Sequence, residues 1–166
     1  MEKMYDELER ILSCELDIHN AIVETAGALN KSIRENTLTD IQAYTLRHDE
    51  QICQIEKLEA RRLEYCSLIG KRLGLKIKMP KLASLIEHAP VQFKSRLTDL
   101  HVSLKKKITE LSRLTVSNQL LLENAINVIS CTFTFIKDSQ KKYTPYSSKK
   151  KGASPYQAYS LINRTV

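Results

Sequence analysis

The chain has no Trp, four Gly, four Pro and 6% aromatic residues in 166 positions. So few glycines and aromatics argue against a sandwich, a barrel or a nucleotide-binding α/β fold, whose turns and phosphate loops need them. The four cysteines, Cys14, Cys53, Cys66 and Cys131, stand singly, without the paired spacing of a zinc or redox site or the density of a disulfide scaffold, so free thiols are expected. No uncharged apolar run approaches the roughly 18–20 residues of a membrane span, and Glu2, Lys3, Asp6, Glu7, Glu9 and Arg10 occupy the place where a signal peptide would be apolar. A cytoplasmic protein without stable membrane insertion is expected. Catalytic groupings are absent as well: His48 and Cys53 diverge on a helix, and Gly70-Lys71-Arg72 lacks the strand and glycine run of a phosphate loop. The reading is therefore a non-enzymatic protein with no metal and no cofactor.

What is present is helical periodicity. Met4, Leu8, Ile11, Ile18, Ile22, Leu29 and Ile33 recur at steps of three, four or seven, which predicts a first helix over about 2–34. After a polar break at 34–37, Thr39 and Gln42 have capping-box spacing, and the column Ile41, His48, Ile55, Arg62, Ile69 predicts a second helix over 39–73, stopped at Gly74. Two helices of near-equal length joined by a short loop predict an antiparallel hairpin. Two prolines, Pro80 and Pro90, bracket a short helix over 81–88. A long helix over 91–143 then carries a coiled-coil-like seam, Leu97, Leu100, Leu104, Lys107, Leu111, Leu114, Asn118, Leu121, Ala125, Val128, Thr132, Phe135. The fold class is all-α, a three-helix bundle over 1–136 built from the hairpin and the long last helix, which is long enough to overhang its partners.

Two polar residues interrupt these columns. Asn118 and Arg62 are each read either as a register-fixing buried group or as a solvated rim position. From Leu122 a second apolar series, Leu122, Ile126, Ile129, Phe133, Ile136, doubles the face of the last helix. It either packs on both hairpin helices or stays open to receive a partner helix. Residues 137–166 hold Lys137, Lys141, Lys142, Lys149, Lys150, Lys151 and Arg164 against Asp138 alone, so nearly all of the +7 net charge lies there, in a stretch read as a flexible basic tail. Nucleic acid is not the expected partner.

The order of parts, with the heptad around Ala60-Arg61-Arg62-Leu63, the Gly stop, the proline-bounded connector and the stretch Ser117-Asn118-Gln119-Leu120-Leu121-Leu122-Glu123-Asn124-Ala125-Ile126, resembles the FlgN family of flagellar type III export chaperones. The basic tail departs from the more acidic character of such chaperones. The resemblance implies binding of the C-terminal amphipathic helix of hook-associated (hook-filament junction) proteins, which are kept unassembled and delivered to the export gate or the export ATPase complex. It places the substrate along Asn118, Leu121, Leu122, Ala125, Ile126, Ile129, Phe133 and Ile136, and contact with the gate at Tyr143 or Tyr146. The alternative from the residues alone is a structural or adaptor coiled-coil protein that self-associates, and a homodimer is open under either reading.

Overall fold

The computed structural model describes residues 1–75 and 80–142, with side chains through residue 139. Four helices follow one another: α1 (Glu2–Glu35), α2 (Leu38–Arg72), α3 (Leu82–Glu87) and α4 (Val91–Lys142). Each lies within two residues of its expected limits, and among the described residues there is no strand. Contacts divide the chain into two units, Met1–Ile126 and Asn127–Val166. The expected tail falls outside the described residues from 143 onward.

The turn between α1 and α2 corrects one expectation. Thr39 lies inside the first turn of α2, whose N-cap is Thr37 and makes no side-chain cap bond, so the capping box does not form. The reason is the way α1 stops. Asn36 adopts a left-handed conformation (φ 56°), its N–H donates to the Ile33 carbonyl at 3.3 Å, and the Thr37 N–H donates to the Ser32 carbonyl at 3.1 Å. This is a Schellman ending with Asn in the usual Gly position, and it reverses the chain so tightly that α2 begins before Thr39. Gly74 (φ 69°) ends α2 in the same manner, its N–H bonded to the Lys71 carbonyl and that of Leu75 to the Gly70 carbonyl.

Within Met1–Ile126, α1 is the central element, buried at Tyr5, Leu8, Ile11, Leu12, Glu15, Ile22, Val23, Ala26 and Ile33. One end of the bundle gathers all four helices. Tyr5, Leu8 and Leu12 of α1 pack with Cys66 and Ile69 of α2, Leu85 and Ile86 of α3, and Phe93, Leu97 and Leu104 of α4. Tyr5 stacks on Phe93 with ring centroids 6.1 Å apart and donates its hydroxyl to the Leu85 carbonyl at 3.2 Å, so the phenol is not left unpaired in the core. Pro80 sits against Gly70, where a Cβ would lie 2.7 Å from the proline ring. The connector can approach α2 only because that position has no side chain.

Candidate functional site

The placement of α4 in the first unit follows from a constant register against α1. Asn30 and Asn118, in contact, are 88 positions apart, and Asn30 and Ser117 are 87 apart. Tyr5 and Phe93 meet at the other end of the same run, and Arg96 pairs with Glu9 at 3.1 Å. The two helices therefore run parallel, residue by residue. At this offset the last residue of α1, Glu35, stands opposite Glu123, and α1 has no residue left to offer beyond it.

Burial along the seam changes at that point. Leu97 and Leu104 are buried, Leu111 and Leu114 half-buried, Asn118 buried, and Leu121 and Ala125 half-buried. The doubled face then opens: Leu122 is 38% exposed and Ile126 60%. Of the two readings of this face, burial against both hairpin helices is excluded by those exposures. In the second unit, Ile129, Phe133 and Ile136 are exposed at 55%, 63% and 46% and line a shallow apolar groove with Val128 and Thr132. Val128 and Phe135, assigned by the sequence to the packed seam, are the most exposed, at 66% and 74%. That assignment is corrected: the spacing of a packed seam continues here along a helix face that is exposed.

Asn118 does not share the exposed face. Its Oδ1 accepts from Asn30 Nδ2 at 2.7 Å, and its Nδ2 donates to the Ala26 carbonyl at 3.0 Å, so its amide is spent on α1. Of its two readings, the buried, register-fixing one describes it. Tyr143 and Tyr146 lie outside the described residues.

A second polar cluster was half visible in the sequence. Arg62, half-buried, donates through Nε to Glu15 Oε1 at 3.0 Å and through a terminal nitrogen to Glu59 Oε1 at 3.0 Å. Glu15 itself was missed, although it occupies the gap between Ile11 and Ile18 in the apolar column of α1. Burial pushes its carboxyl above the ordinary carboxylate range, against the opposing pull of Arg62. His19, one turn further along, is half-buried with no partner for Nδ1, and burial lowers its basicity. These groups border a cleft of about 610 Å³ floored by Leu12, Ile55, Leu104 and Ile108. All four cysteines are free thiols, of which Cys66 alone is buried.

An α4 segment that carries Glu123 as its sole charge from Leu114 to Ile136 also bears on membrane association. By length and composition it suffices to cross a membrane, with an 18-residue window of mean hydropathy 1.3. The expectation that no such run exists holds only in the strict, charge-free sense, since one carboxylate interrupts it.

In comparisons with known proteins, the family model described as FlgN protein matches residues 1–153. No curated protein and no solved structure matches the chain.

Proposed function

Because the chain belongs to the FlgN family, whose members are flagellar export chaperones that bind export substrates in the cytoplasm, we propose that the apolar stripe Leu122, Ile126, Ile129, Phe133 and Ile136 of α4 receives the C-terminal amphipathic helix of hook-filament junction proteins. The bound substrate is kept unassembled and carried to the export gate. Leu121 and Ala125 form the half-buried rim of the docking surface, and Asn118 supports it from within by fixing α4 on α1. Contact with the gate or the export ATPase complex falls to Tyr143 or Tyr146. This family is one of chaperones rather than enzymes, and the work proposed here is binding alone.

The observation that carries the reading is the exposure of this stripe on α4. An amphipathic helix laid into a groove is a standard recognition mode, read out by anchors at i, i+3, i+4 and i+7. Burial of about 600 Å² of apolar surface is worth on the order of 15 kcal/mol before association and ordering costs, enough to leave a usable affinity.

The test is calorimetric titration of the full chain against a panel of C-terminal helices from hook-associated proteins, repeated with Ile126→Asp and Ile129→Asp. Saturable one-to-one binding that either substitution destroys, in a chain of unchanged helicity, is the expected result. A stable self-dimer that binds no member of the panel would instead make the chain a coiled-coil adaptor.

A further inference from the structure

Leu122 and Ile126, the part of the apolar stripe that lies in Met1–Ile126, belong to a longer face of α4. Counting back by sevens from Leu122 gives Thr115, Ile108 and His101, and from Ile126 it gives Gln119, Ser112 and Lys105. Residues seven apart differ by only about 20° round a straight helix, so the two columns make one face that turns slowly along the bundle. At its upstream end His101, Lys105 and Ile108 line the cleft that Ile55 and Arg62 of α2 border from the other side, with Leu82 of α3. Between the cleft and Leu122 the face is uncovered: Ile108 is 51% exposed, and Ser112, Thr115 and Gln119 are exposed. The cleft and the pair Leu122 and Ile126 are thus the two ends of one open track on α4.

We propose that the substrate helix continues past Leu122 along this track and seats an apolar side chain in the cleft, against Leu12, Ile55, Leu104 and Ile108. The proposal rests on the reading of Leu122 and Ile126 as substrate contacts and adds a second anchor point to it. Ile108 and Leu122 are 14 positions apart, about 21 Å of helix. The partner is therefore an amphipathic helix with apolar anchors about four turns apart and short polar side chains between them, opposite Ser112, Thr115 and Gln119. Charge fixes the chemistry of the far anchor. Glu15 and Glu59 balance Arg62 and Lys105 around the cleft, and Arg62 is bonded to both carboxylates. An uncharged side chain enters without leaving any of these charges unpaired, whereas a charged one would. Depth favours a lone helix as the occupant, since Leu12 and Leu104 at the floor are buried. The bundle of a second copy would bring α1 and α2 along with its own α4 face and is too broad to reach them.

The experiment is calorimetric titration of the full chain with C-terminal helices of hook-associated proteins, comparing Thr115→Arg, which places a long charged side chain on the track, with Val116→Arg, which places it one step round the helix. Both positions are exposed, and circular dichroism checks that the variants keep the bundle. The expected result is affinity lowered at least tenfold in Thr115→Arg, lowered in Ile108→Ser and unchanged in Val116→Arg. Of two peptides shortened by 14 residues, one from each end, one should bind more weakly and be indifferent to Ile108→Ser. Native affinity in Thr115→Arg or Ile108→Ser, or an equal loss in Val116→Arg, overturns the proposal, and where Ile126→Asp still abolishes binding the substrate stripe itself stands. Absence of binding to the native chain by every helix overturns the stripe and this extension together. A peptide-free dimer that Thr115→Arg dissociates gives the track to a second copy and overturns the proposal as well.

Discussion

Asn30 and Asn118 face each other across α1 and α4 with Asn30 Nδ2 donating to Asn118 Oδ1 at 2.7 Å, while the second half of the Asn118 amide is held by the Ala26 carbonyl. A single amide thus bonds both a side chain and the backbone of the neighbouring helix. Sliding α4 by one turn would leave Asn118 buried without partners, so the pair locks the register that brings Glu35 opposite Glu123 and leaves Ile126 exposed.

Asn118→Ala should therefore destabilise the bundle by about 1–3 kcal/mol, the cost of lost bonds plus the unpaired groups left behind. In a double-mutant cycle with Asn30→Ala, urea unfolding should give a coupling of at least about 0.5 kcal/mol. Additive losses would show that the two amides do not act together.

Arg62→Met strands the Glu15 carboxylate in a site where its side chain is only 6% exposed. A loss of up to about 3 kcal/mol at pH 7 is expected, with much of it restored by adding Glu15→Gln, because an unpaired buried charge costs more than a missing pair. Chemical denaturation of the single and double variants measures both.

His19 predicts a pH dependence. Its folded-state pKa lies below the ordinary 6.5 through burial, so the unfolded chain takes up the proton first. The stability it contributes is whole above pH 6.5 and is lost as the pH falls through the lowered folded value. Glu15, whose folded pKa is raised above 4.5, acts with the opposite sign: its contribution is whole below pH 4.5 and is lost as pH rises through the raised value. Lowering the pH from 7.5 to 5.5 should therefore move the unfolding midpoint of His19→Gln in the stabilising direction relative to the same change in the native chain, because the loss due to His19 is removed and the opposing contribution of Glu15 remains.

Two glycines give opposite expectations. A Cβ at Gly70 would press on Pro80, whereas one at Gly27, inside α1, meets nothing within 4 Å. Gly70→Ala should cost about 1–3 kcal/mol through overpacking. Gly27→Ala should gain about 0.5–1 kcal/mol from helix propensity. Thermal unfolding of the two variants separates them by the sign of the shift.

The helices were legible because their signal is local. Period, proline and glycine positions are written into consecutive residues, and all four helices came within two residues of their expected limits. The half of the candidate face at Leu122, Ile126, Ile129, Phe133 and Ile136 was legible for the same reason, as a second series at helical spacing. The failed capping box at Thr39 shows where locality misleads: the left-handed Asn36 reversed the chain earlier, and a turn conformation outweighed a side-chain motif.

By itself the sequence determined an all-helical chain, a hairpin followed by a helix longer than either arm, a basic end and the doubled apolar face, since each follows from residue order and composition. Only the tertiary structure decided which apolar positions are core. Leu97 and Leu104 are buried while Ile126, further along the same helix, lies 60% exposed, because burial requires a neighbouring helix in register and α1 ends opposite Glu123. Likewise, pairing Arg62 with Glu15 needed two helices brought side by side, a relation between residues 47 positions apart that no local pattern encodes.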